Sequence, residues 1–166
     1  MQFTSKELSD LINQPGEVML AGADLSGADL SGAGLSISNL SSANLSGANL
    51  SGADLRGADL SESDLSAADF SAATMWDIEL RRADLSRAKF NGADLSYAYL
   101  NEANLCEAKF VGANLNGVNL SGTNLKGADF SGATLSNTDM SGAKYNKATI
   151  WPADFDQLAR GALLAD

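Results

Sequence analysis

The most numerous candidate nucleophiles in this 166-residue chain are its serines, which follow most of its large apolar residues. A serine hydroxyl attacks only with a base beside it, and the chain contains no His at all. Paired carboxylates are the other option, and Asp64 and Asp84 form one such pair, twenty residues apart in similar surroundings. Two carboxylates divide into acid and base only where a pocket separates their pKa values, and both lie at positions that the repeat described below turns to solvent. There is no clustered set of metal ligands, no P-loop and no dinucleotide fingerprint. GADLSG has two glycines, but neither the spacing nor the strand-to-helix context of a phosphate loop. Cys106 directly follows a large apolar residue and reads as a free, outward thiol. No enzymatic activity, metal or cofactor is expected.

The formal net charge is −10. Phosphate-backbone binding needs clustered Lys and Arg, so the expected partner is a protein, with no direct nucleic-acid binding. One Cys cannot form an intramolecular disulfide, which fits a reducing compartment. The opening MQFTSKELSDLINQ lacks a basic segment followed by an apolar run. No apolar stretch is long enough to span a bilayer. A cytoplasmic protein without membrane contact is expected.

The elements that position these residues come from a repeat. Large apolar residues recur every five positions from Leu20, Leu25 and Leu30 to Tyr145 and Ile150, and on to Phe155. Two residues before each stands a small one, usually Ala: Ala23, Ala28, Ala33, Ala43. A period of five fits neither a helix nor a strand. It fits a chain that turns a corner after each short extended segment.

GADLSGADLSG (Gly22 to Gly32) and SSANLSGANLSG (Ser41 to Gly52) resemble the pentapeptide-repeat family, which is widespread in bacteria and numerous in cyanobacteria. The resemblance covers about residues 18 to 155. It implies an all-β solenoid, a right-handed quadrilateral β-helix in which four pentapeptides make one coil. The central residue and the one two before it would point inward. About seven coils at a ~4.8 Å spacing give a rod of about 34 Å.

Twenty residues per coil can be checked within the chain. Phe70, Phe90, Phe110 and Phe130 are spaced by twenty, so they would stack as one structural column. Their face has Ala at the second-before positions, from Ala28 and Ala48 to Ala128 and Ala148, as dense packing beside large rings requires. The opposite face carries the bulkier Val18, Ile78 and Val118.

Both ends need covers. Thr4 and Glu7 form a capping-box pattern, Phe3 and Leu8 fit a hydrophobic staple, and Pro15-Gly16 stops the helix. Phe155, Leu158, Ala159, Ala162 and Leu163 share a helical face at the other end. The expected organisation is an N-terminal capping helix (1–17), the repeat (18–152) and a C-terminal helical cap (153–166). Two capped ends favour a monomer or a side-to-side dimer.

Function then lies on the outside. The stretch TMWDIELRR, Thr74 to Arg82, keeps the repeat but changes its outward residues. The coil period places Arg56 beside Trp76, Asp77 beside Tyr97 and Glu79 beside Tyr99, with Ile37 in the column of Asp77. Exposed Trp, Tyr and Arg together have the composition of an interface hot spot. The edge of Arg56, Trp76, Asp77, Glu79, Tyr97 and Tyr99 is therefore a candidate partner-binding surface. A structural reading competes: Arg56 stacks on Trp76 as a cation–π pair over the bulge forced by Ile78.

The family resemblance adds a second functional reading, since its best-understood members mimic duplex DNA and bind topoisomerases such as gyrase. Residues 18 to 70 hold seven acids (Asp24, Asp29, Asp54, Asp59, Glu62, Asp64, Asp69) against Arg56, whereas residues 71 to 152 hold eight of each sign. A DNA duplex of that length carries about 20 charges. The acidic half, through its six Asp residues, is at best a partial mimic.

Overall fold

In the structure, a computed structural model describing residues 4–12, 17–153 and 155–165, twenty residues make one coil. Parallel bridges join each residue before a central position to its counterpart twenty on, from Met19–Asn39 to Asn124–Lys144. The amide of Leu25 donates to the Asn44 carbonyl at 2.7 Å, that of Gly27 to Ser46 at 2.9 Å, and that of Asn44 back to Ala23 at 2.9 Å. Each side thus ties its backbone to both neighbouring coils, and its turn closes with a bond such as Ala28 N–H to Leu25 C=O at 3.0 Å. Four sides of five residues build a square solenoid whose interior is the core. Leu and Ala of all four sides are buried there.

The turns record what fills the inward positions. Turns closing on Ala28, Ala48 and Ala88 have bonds of 3.0 Å. Those closing on residues larger than Ala open to 3.3 Å at Ile78, Val118 and Thr123 and to 3.4 Å at Ser63. Ser63 and Thr123 turn their hydroxyls back onto the carbonyls of Leu60 and Leu120, which satisfies a buried polar group locally.

Phe70, Phe90, Phe110 and Phe130 stack as the period predicts, with centroids 5.0, 4.8 and 4.9 Å apart. The coil spacing imposes that distance, so the rings lie nearly face to face. Trp151 continues the column at 4.9 Å and 2° from Phe130. This corrects the uniform five-residue spacing past Tyr145. Ile150, expected inside, is 50% exposed and pairs with Asp129, while Ala148 is exposed and Thr149 is buried. One residue is added in the corner, so this step takes twenty-one. Thr149 makes the insertion possible: its Oγ1 donates to the Leu125 carbonyl at 2.9 Å and accepts from the Gly127 amide at 3.2 Å. Extending the aromatic column outweighs keeping the spacing.

At the N-terminal end α1 (Ser5–Ile12) is capped as expected. The Thr4 amide and hydroxyl each donate to Glu7 Oε2 at 2.8 Å, and the Glu7 amide returns to Thr4 Oγ1 at 3.3 Å. Leu8 is buried, and Leu11 and Ile12 pack on the same core. Phe3 and Pro15-Gly16 lie outside the described residues.

The other end departs from expectation. The apolar spacing from Phe155 to Leu163 forms no helix: turns run over 157–161, and β2 (Leu163–Leu164) pairs in parallel with β1 (Lys144–Tyr145). The Leu163 and Ala165 amides donate to the Ala143 and Tyr145 carbonyls at 2.7 Å. The last coil offers this segment a row of open backbone groups to pair with. Ala162 fills the buried small position, and Phe155 lies 5.5 Å from Trp151.

Phe110 has a ring on either side, so Phe110→Ala should cost about 3–5 kcal/mol. Phe110→Leu should cost much less, because Leu30 and Leu50 hold that position in earlier coils. Denaturant unfolding distinguishes the two, and equal losses would contradict ring stacking. A second pair tests the two faces. Ala88→Val, beside the rings, should cost about 1–3 kcal/mol, while Ala98→Val, between Ile78 and Val118, should cost under about 1 kcal/mol.

Candidate interaction groove

Corner residues in this solenoid adopt left-handed backbone angles, and most corners hold Gly. Ile37, Asp77 and Tyr97 take the same angles, with φ of 61°, 60° and 61°. Ile37 is the one β-branched residue among the described non-glycine corners, and a β-branched side chain is disfavoured there. It is also 66% exposed. Gly57 sits between Ile37 and Asp77 in the same column, and a Cβ at Gly57 would meet open space. Its missing side chain leaves a notch. Ser36, Ile37, Arg56, Gly57, Trp76 and Asp77 line this open groove of about 480 Å³, with Trp76 45% exposed.

The groove gathers Arg56, Trp76 and Asp77, three of the six expected residues. Arg56 does not stack on Trp76. Its guanidinium binds Asp54 in two-pronged fashion, Nε to Oδ1 at 2.7 Å and an NH2 nitrogen to Oδ2 at 2.6 Å. A carboxylate two residues away is a stronger and nearer partner than the indole face. The cation–π contact falls elsewhere, where Arg81 lies 4.8 Å from the Tyr99 ring centroid. Arg81 also pairs with Glu79 at 3.1 Å, so Glu79, Arg81 and Tyr99 form their own cluster. Burial pushes the Glu79 carboxyl up, Arg81 opposes that, and the charges of Asp59 and Asp77 add to it. Tyr97 leans over Gly117, where its Cδ1 would stand 2.8 Å from an added Cβ.

Reasoning from residue types passed over Ser36, Gly57 and Arg81. The signal for Gly57 was present, since a glycine between two large outward residues of one column marks a gap.

The six Asp residues of the acidic half spread around all four sides. Asp24 and Asp64 share one side, Asp29 and Asp69 the next, and Asp54 and Asp59 occupy the remaining two. Asp54 pairs with Arg56, Asp69 with Lys89 at 3.3 Å, and nearby Glu62 with Arg82 at 2.6 Å. Cys106 faces outward, half-buried, in a polar depression of about 450 Å³ with Arg87, Glu107, Asn104, Asn124 and Ser86. Among the described residues no cluster of three or more metal-ligating side chains occurs, and no helix is long and apolar enough to cross a membrane.

The family model for Pentapeptide repeats matches in eight copies, over residues 17–36, 38–77, 83–122 and 108–144. The chain belongs to the pentapeptide-repeat family. Solved relatives include a pentapeptide-repeat protein from Nostoc PCC 7120, alr5209, with 31% identity, 76% of this chain and 84% of that one covered and a TM-score of 0.43. Another is HetL, from the same cyanobacterium, a protein involved in heterocyst differentiation regulation. It has 25% identity over 89% of this chain and 83% of that one, with a TM-score of 0.36. A trypsin-treated variant of QnrB1, a plasmid-mediated fluoroquinolone resistance protein, has 22% identity over 90% of this chain and 91% of that one, with a TM-score of 0.52. No curated protein matches the sequence.

Aspartates before the central residues of this pentapeptide-repeat chain accept bonds from the serine two residues on. The Ser141 hydroxyl and amide reach Asp139 at 2.6 and 2.9 Å, and those of Ser131 reach Asp129 at 2.6 and 3.0 Å. These bonds, the hydroxyl's first, hold both carboxyls below the ordinary range. Their stabilisation is complete above the unfolded value near ~3.9 and disappears as pH falls through the depressed folded values. Asn44 makes the same bonds to Ser46 without titrating. Asp129→Asn with Asp139→Asn should therefore lose less unfolding temperature between about pH 5 and about pH 2 than the parent. An equal loss would show that these bonds do not set the acid limb.

Proposed function

We propose that this pentapeptide-repeat chain is a non-enzymatic interaction module, a right-handed β-helix of about seven coils that docks a protein partner in the groove around Trp76. One observation carries the reading: Ile37 holds an exposed apolar side chain in a left-handed corner, where folding favours Gly. Strain of this kind costs about 1–2 kcal/mol and persists where it is compensated by use. Trp76, two coils on in the same groove, supplies the large aromatic area typical of binding hot spots. The lone cysteine supports a cytoplasmic setting.

Partial DNA mimicry of a topoisomerase is the second reading, supported by the acidity of residues 18–70. Acids divided over four sides, three of them ion-paired, present a weaker likeness to a duplex than their number suggests. Salt-sensitive inhibition of gyrase supercoiling by the purified protein, lost when the Asp residues become Asn, would favour it.

For docking, Trp76→Ala should abolish partner capture and leave the unfolding midpoint nearly unchanged. Ile37→Gly should weaken capture and raise stability by about 1 kcal/mol. Capture that survives both substitutions, measured with the partner isolated on the parent protein, would sink the reading.

A further inference from the structure

The groove's chemistry identifies the group it receives, granted the reading that this groove is where a partner docks. Ile37 and Trp76 give it apolar walls over the bare backbone of Gly57. Of the charges around it, Arg56 is neutralised by Asp54 and Glu79 by Arg81. Asp77 remains: among the described residues its carboxylate has no hydrogen bond or ion pair, and it stands exposed at the rim. Burial pushes the Glu79 carboxyl up, Arg81 opposes that, and Asp77 is close enough for its charge to add to the rise.

We infer that the groove takes an arginine side chain of the partner, with its guanidinium stacked on Trp76 and paired with Asp77. A purely apolar occupant would leave the Asp77 carboxylate at the rim without a partner. An anion would be repelled by Asp77. A lysine ammonium is a compact, strongly hydrated point charge, whereas guanidinium is planar, weakly hydrated and suited to an indole face. The aliphatic stem of arginine also matches the Ile37 wall, so one side chain satisfies both halves of the groove.

The chain has two Trp residues, and Trp151 stacks on Phe130 at the end of the aromatic column. Trp151→Phe extends that column and leaves Trp76 as the sole indole reporter. In this background, Trp76 fluorescence is titrated with N-acetyl-arginine amide and with its neutral isostere N-acetyl-citrulline amide. The arginine probe should give a saturable change at roughly millimolar concentration, and citrulline should bind about tenfold more weakly. Asp77→Asn, which tolerates the left-handed corner, should abolish the difference between the probes; a parallel Asp139→Asn control should not. Equal binding of both probes, no saturable change, or a difference that survives Asp77→Asn would each overturn the assignment. If the arginine probe fails while Trp76→Ala still abolishes capture, docking stands and the ligand assignment falls. If the probe binds while Trp76→Ala leaves capture intact, the arginine site stands and the docking reading falls.

Discussion

Each coil hydrogen-bonds to the coil twenty residues on, and that backbone register constrains everything else in the molecule. It holds successive coils at strand spacing, so inward side chains of equal phase must stack directly. Planar rings meet the demand well, and the Phe column results. Its neighbours are held to Ala because a square coil leaves no room beside a ring. On the opposite side, where central residues are aliphatic, Val and Ile fit at the cost of slightly opened turns.

An interior so fully determined leaves the outer residues free of any packing role. Most are used for local satisfaction: Asp and Asn accept from the serine that follows, and corners take Gly. The few that serve neither purpose stand out for that reason. Ile37 gains nothing from its corner, and Trp76 contributes area to no core. The coil period places them two coils apart on one wall, and Gly57 between Ile37 and Asp77 opens the space they line. The groove therefore arises from a missing side chain as much as from those present.

Charge follows the same geometry. Outward positions one coil apart are close neighbours, so acids of one coil find bases of the next, as with Glu62 and Arg82 or Asp69 and Lys89. Net charge along the chain consequently overstates the field at any one wall. Asp77 lies beyond this pairing, exposed at the rim of an apolar groove.

By itself the sequence determined the solenoid, its twenty-residue coil, the aromatic column and the capped first helix. Contacts in a one-dimensional repeat follow from arithmetic, and the Thr4–Glu7 box is local, so both are readable without coordinates. It also placed Arg56, Trp76 and Asp77 together. Only the tertiary structure decided which neighbour each side chain chose: Arg56 turned to Asp54, Arg81 took Tyr99, and Tyr97 settled over Gly117. Several partners stood within reach of each, and rotamer and hydrogen-bond geometry selected among them. The extra residue before Thr149 and the strand at Leu163–Leu164 were hidden for a related reason. Beyond Tyr145 the spacing of apolar residues allowed more than one backbone path, and the open edge and aromatic stack of the preceding coil selected the one that pairs.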